Sequence, residues 1–127
     1  MGLHGSADDR RLNRRVTVDM FFNQYIQDHP VRSLAVNVSE HGLAAQRLLE
    51  RRPRTYGDDG RIVAIEFELP GTGEVIWAKG ETQFESLDRD FHRAGIRFLA
   101  MARRHERLVR EFVWDRRLRS LARWRHA

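Results

Sequence analysis

Arg10, Arg11, Arg14 and Arg15 crowd four guanidinium groups into one short stretch, Arg10-Arg11-Leu12-Asn13-Arg14-Arg15. A guanidinium is planar, always charged and carries a fork of N–H donors. It therefore holds a phosphate, pairs with the O6 and N7 edge of guanine, or stacks on a base. Two arginines at i and i+4 of a flexible leader, as in Arg11-x-x-x-Arg15, reach both sides of such a ligand. Further along, Asn37-Val38-Ser39-Glu40-His41-Gly42 spells N-x-S-x-x-G. The Asn37 amide oxygen can accept from the N1–H and N2–H₂ donors of guanine. Ser39 offers a small hydroxyl for a phosphate or base contact. Gly42 permits a positive φ and a close approach of backbone to a ligand. Taken singly, the first motif also fits a solvated basic leader and the second an ordinary Asx-type turn.

Both motifs are set against strands. Val16, Val18 and Met20 alternate with Thr17 and Asp19, which predicts a strand over Val16–Phe22 directly after Arg15. Asp28-His29-Pro30 is a turn signal, and Val31–Val38 reads as a second strand ending in the N-x-S-x-x-G motif. Gly42–Leu49 fits a third strand, although Leu43–Leu49 fits a helical turn as well. Residues 50–60 read as a loop. Arg61–Leu69 is the clearest strand, with Val63, Ile65, Phe67 and Leu69 on one face and Glu66 and Glu68 on the other. Pro70-Gly71-Thr72-Gly73 turns the chain into a hairpin partner over Glu74–Gly80. A polar stretch, 81–90, precedes a last strand over Phe91–Leu99. From Ala100 to Arg125 there is no Gly or Pro, and good helix formers predominate, so a helix is predicted there.

With these elements in place, the two motifs resemble the ligand signature of the PilZ domain, the bacterial receptor module for cyclic di-GMP. The resemblance runs over residues 10–113. Its R-x-x-x-R maps onto Arg11 and Arg15, with Arg10 and Arg14 as an alternative register, and its [D/N]-x-S-x-x-G onto Asn37, Ser39 and Gly42. Glu74-Val75-Ile76-Trp77 is similar to a later V-x-W-type strand of the family, and Gly95-Ile96-Arg97-Phe98 to its closing strand. The resemblance implies a mainly β fold, a small six-stranded antiparallel PilZ-type β-barrel with a long C-terminal α-helix. It also implies a bacterial, cytoplasmic receptor that binds cyclic di-GMP through Arg10, Arg11, Arg14, Arg15, Asn37, Ser39 and Gly42. Asn37 stands where many members carry Asp. An amide presents one acceptor oxygen where a carboxylate presents two, so its contact with guanine is expected to be weaker.

Composition narrows the alternatives. A chain of 127 residues suits one domain. The expected division is a flexible tail over 1–9, the barrel with its Arg-rich ligand loop over 10–100, and a basic amphipathic helix over 101–127. There is no cysteine, so disulfides, thiolate nucleophiles and Cys-ligated zinc are excluded. No apolar run approaches the roughly 18 residues of a membrane span. The start fits a loose M-G-x-x-x-S pattern, which a simple polar tail satisfies equally. The six histidines lie far apart, Asp58-Asp59-Gly60 lacks the later ligands of a calcium loop, and neither a metal nor a further cofactor is expected. No nucleophile motif or acid–base dyad appears, so the chain reads as a binder and not an enzyme. Trp77, in a strand of a small barrel, is expected in the core, and His41 on a solvent-facing turn.

The net charge of +5 is gathered at the two ends: Arg10–Arg15 lies before the first strand, and Arg116, Arg117, Arg119, Arg123 and Arg125 lie in the helix. Leu108, Val109, Phe112 and Val113 form a stripe suited to packing on the barrel. Trp114, Leu118, Leu121 and Arg125 form a second stripe, rotated by nearly a quarter turn. A helix cannot bury both on one small barrel, so the second, with the distal arginines, is expected to meet a second copy, a downstream protein partner, an acidic membrane surface or nucleic acid. Two other readings remain open: a basic nucleic-acid-binding protein using both Arg-rich ends, and a PilZ-like adaptor that binds only protein.

Overall fold

Apolar residues at every second position form the wall of the core. In β1 (Val16–Ile26), Val16, Val18, Met20 and Phe22 are buried while Thr17, Asp19 and Phe21 are exposed. β4 (Ile62–Glu68) buries Val63, Ile65 and Phe67 in the same way. β2 (His29–Val38) and β3 (Gly42–Leu48) add Val31, Ala35, Val38, Leu43 and Ala45 to the core. β5 (Val75–Leu87) contributes Ile76 and Ala78, and β6 (Phe91–Met101) contributes Ala94 and Ile96. Burying a side chain the size of Ile65 or Ile76, both fully enclosed, stabilises by about 1.5–3 kcal/mol.

In this computed structural model the described residues are 15–26, 28–48, 62–87 and 90–126, with side chains described at all of these except 26, 48 and 123–126. The expected tail 1–9, Arg10, Arg11 and Arg14 of the leader, and the loop 50–60 with Asp58-Asp59-Gly60 lie outside them. The six strands pair antiparallel in the order β1-β2-β3-β6-β5-β4, and β4 returns to β1 to close the barrel. Closure gives each strand a partner on both sides over at least part of its length, the closing β1–β4 ladder running from Phe22 opposite Phe67 to Tyr25 opposite Ala64. The β4–β5 turn is built as its composition requires. Gly71 and Gly73 take positive φ angles of 80° and 71°, and Thr72 ties the turn by bonding the Leu69 carbonyl through N–H (3.2 Å) and hydroxyl (3.0 Å).

α1 (Arg103–His126) covers the barrel core with the first apolar stripe. Val109, Phe112 and Val113 are buried in the core cluster, with Leu108 packed at its margin. The second stripe faces solvent: Trp114 is 58% exposed, Leu118 49% and Leu121 56%.

Four expectations from the sequence are corrected here. β1 runs past Phe22 to Ile26, because Asn23, Gln24 and Tyr25 pair with both β2 and β4. Most of the polar stretch 81–90 is strand: β5 continues to Leu87 on β6, from Glu81 opposite Arg97 to Leu87 opposite His92. Cross-strand backbone bonding sustains it without a buried face. The same pairing takes Ala100 and Met101 into β6, opposite Lys79 and Ala78, so α1 starts at Arg103. Trp77 is 47% exposed and stacks on Tyr25 at a centroid distance of 5.8 Å, outside the core.

Candidate ligand-binding site

The segment after β2 is a turn organised by Ser39. The Ser39 N–H donates to the Gly42 carbonyl (2.8 Å), the Ser39 hydroxyl donates to the same oxygen (3.3 Å), and the His41 N–H donates to the hydroxyl oxygen (3.1 Å). The Phe98 N–H donates to the His41 carbonyl (2.8 Å) and fastens the turn to β6. These bonds narrow what Ser39 can offer. Its proton is committed to Gly42, so toward a ligand it presents a remaining acceptor lone pair. Phosphate oxygens only accept, so a Ser39–phosphate bond would require the hydroxyl to leave the turn.

Gly42 is needed for a reason the sequence did not show. It is not among the glycines at positive φ; instead a Cβ here would run into the carbonyl oxygen of Ile96 and lie 3.1 Å from the Arg97 Cα. The close approach is to β6. Gly42→Ala is expected to push β3 off β6 and destabilise by about 1–3 kcal/mol, as overpacking against atoms that cannot yield does. Urea unfolding should show a lower midpoint at unchanged m-value.

Arg15, Asn37, Ser39 and Gly42 line one cavity of about 200 Å³. Arg15 stands at the mouth of β1, Asn37 near the end of β2, Ser39 in the turn and Gly42 at the start of β3. Strand pairing brings them together, since Asn37 lies opposite Thr17 of β1 and Ala44 of β3. Bulges flank the site on three ladders, between Thr17 and Met20, Ala35 and Asn37, and Thr82 and Phe84. A bulge re-aims a side chain, and the last of these leaves Gln83 as the extra residue.

The far wall comes from β5 and β6: Gln83, Phe84, Gly95 and Arg97. Sequence reasoning missed Gln83, Phe84 and Arg97 as site residues. Nothing local marks them, and they reach the motif turn only through the β2–β3–β6–β5 order. A row of cross-strand neighbours runs Asn37–Ala44–Gly95–Phe84, and beside it Gly42–Arg97–Glu81. His41, with a side chain 63% exposed, touches Glu40 at 3.3 Å. It lines this cavity and a second one, of about 320 Å³, whose other side is formed by Glu106 and Arg110 of α1. Thus the motif turn is a shared wall between the candidate site and the helix. Trp77 is not part of either cavity lining.

Among the described residues no cluster of three or more metal-ligating side chains is present, and no helix is long and apolar enough to cross a membrane. No family model matches the chain. An uncharacterized protein of Aquifex aeolicus (strain VF5) is 26% identical over 116 residues, covering 89% of this chain and 52% of its own length, so the chain spans about half of that relative. Solved structures are more informative. The PilZ domain of YcgR from Escherichia coli, with c-di-GMP, superposes with a TM-score of 0.63 at 19% identity, over 89% of this chain and 95% of that one. The inhibitor of motility MotI/DgrA of Bacillus subtilis gives 0.69 at 14%, covering 84% of this chain and 50% of that one. PlzA of Borreliella burgdorferi in complex with c-di-GMP gives 0.62 at 10%, covering 100% and 59%. Likeness at such low identity speaks for architecture: the closed six-stranded barrel with its C-terminal helix is a PilZ-type fold.

Proposed function

We propose that the protein is a cytoplasmic receptor for cyclic di-GMP, a binder and not an enzyme. The observation that carries this reading is that Arg15, Asn37, Ser39 and Gly42, drawn from two motifs separated in sequence, line one cavity. Structures that share the fold contain this ligand, among them the YcgR domain and PlzA, which supports the choice of dinucleotide. At about 200 Å³ the cavity is smaller than the roughly 300–1,000 Å³ of pockets that enclose a small ligand. It therefore seats one part of the dinucleotide, and the leader carrying Arg10, Arg11 and Arg14 supplies the other side. Asn37 and the free acceptor of Ser39 face the guanine donors, while the arginines take phosphates and the Hoogsteen edge.

In this reading ligand orders the leader, and the rearranged surface is offered to a downstream protein partner through the helix. The helix lies across the second cavity from the same turn, so a change at Ser39–Gly42 has a short path to Glu106 and Arg110. Isothermal titration with cyclic di-GMP tests the receptor. Saturable heat is expected, and absence of heat from folded protein refutes it. Limited proteolysis tests the switch: cleavage within residues 1–14 should slow at saturating ligand, and equal rates would refute the ordering step.

A further inference from the structure

Asn37 and Phe84 face each other across a floor of two small residues, Ala44 and Gly95, each on its own strand. Strands lie about 4.8 Å apart, so this row spans roughly 14 Å, with the Phe84 ring overlying Gly95 at its β5 end and Ala44 between that ring and Asn37. Phe84 is a large aromatic left 56% exposed in a cavity wall. Its position is set by Gly95: the ring occupies the space where a Cβ would stand, with Cζ and Cδ1 2.7 Å and 2.8 Å from that point. The ring is thus held in place against the sheet with a face left over.

Beside it, Arg97 projects from β6 opposite the bare Gly42. It is not idle. The Glu81 carboxylate accepts from Arg97 Nη2 at 3.2 Å and from Gln83 Nε2 at 2.6 Å. One acid on β5 thereby holds two donors that line the cavity, while Glu81 itself stays outside the lining. The Arg97 side chain is 56% exposed and that of Glu81 32%. An ion pair this exposed is weak, so a phosphate can displace it.

Resting on the receptor reading above, we propose that the β5–β6 rim is the second half of the binding site. Phe84 stacks on a guanine of the dinucleotide, and Arg97 takes a phosphate. Glu81 holds Arg97 ready and competes with that phosphate, so it sets the affinity of the site below what its cations would give. The same arrangement gives Gln83 a fixed orientation at the edge of that row.

The proposal predicts effects of opposite sign from partners in one ion pair. Titration of cyclic di-GMP into Arg97→Gln should show binding weakened about tenfold or more, the worth of a charge-assisted hydrogen bond. Glu81→Gln should bind about two- to fivefold more tightly, by the strength of the exposed pair that no longer competes. In the Glu81→Gln/Arg97→Gln double variant that gain should vanish, which separates competition for Arg97 from a general loss of negative charge. Phe84→Leu, which keeps Gly95 covered but removes the ring face, should weaken binding about fivefold or more. All three positions are at least partly exposed, and thermal unfolding of each variant checks that the barrel is intact. Wild-type binding with Arg97→Gln unchanged, or with Glu81→Gln weaker, overturns this proposal alone. Absence of wild-type binding overturns it together with the receptor reading.

Discussion

Replacing Arg11 and Arg15 together by alanine is expected to weaken cyclic di-GMP binding by roughly 30-fold to 10⁴-fold, or about 2–6 kcal/mol, if each side chain makes one good bidentate contact of about 1–3 kcal/mol. Arg15 lies immediately before β1 and is exposed, lining the cavity beside Asn37. Its removal opens no hole in the core, so the loss reports on ligand and not on folding. Titration calorimetry at one fixed salt concentration measures it, because part of any arginine effect is screened charge. Arg32→Ala/Arg107→Ala removes two exposed arginines outside the cavity and leaves its walls untouched. That control should bind nearly as wild type. A control as weak as the Arg11/Arg15 variant would make the attraction a property of net charge, which favours the nucleic-acid reading.

The second large effect is on the helix. Phe112→Ala is expected to destabilise by about 3–5 kcal/mol, the usual loss for a buried Phe, and to lower Tm by roughly 10–20 °C. Phe112 is 8% exposed within the core cluster, between Val109 and Val113, and the Arg116 guanidinium lies 5.0 Å from its ring centroid. Truncation removes packing from both the helix and the barrel mouth it covers. Trp114, two positions on, is 58% exposed with Arg117 over its ring at 5.4 Å. Trp114→Ala should therefore change stability by less than about 1 kcal/mol. Equal losses in the two variants would mean that the helix docks through a different face.

That contrast between Phe112 and Trp114 is legible in the sequence, because side-chain direction along a helix repeats every 3.6 residues and two stripes cannot share one small surface. The alternations Val16-Val18-Met20 and Val63-Ile65-Phe67 were equally plain, as was the turn at Pro70–Gly73. Errors arose where pairing overruled local composition. Glu81–Leu87 carries no buried face after Gly80, and only its ladder to β6 makes it a strand. Ala100 and Met101 would suit a helix, but Lys79 and Ala78 claim their backbone. Trp77 follows the alternation of β5, whose inward positions are Ile76 and Ala78, and so it points outward against Tyr25.

What the chain's order of residues determined by itself is therefore the identity of the chemistry: guanidinium forks before a strand, and an amide, a hydroxyl and a glycine after another. These are properties of side chains and of backbone turns a few residues long. Tertiary structure decided what those groups surround. Barrel closure in the order β1-β2-β3-β6-β5-β4 places Gly42 against Ile96, and Asn37 across two small residues from Phe84. It also sets Arg97 beside Glu81. Such neighbours are far apart in sequence and are joined by strand register, which the whole hydrophobic pattern and the bulges settle together.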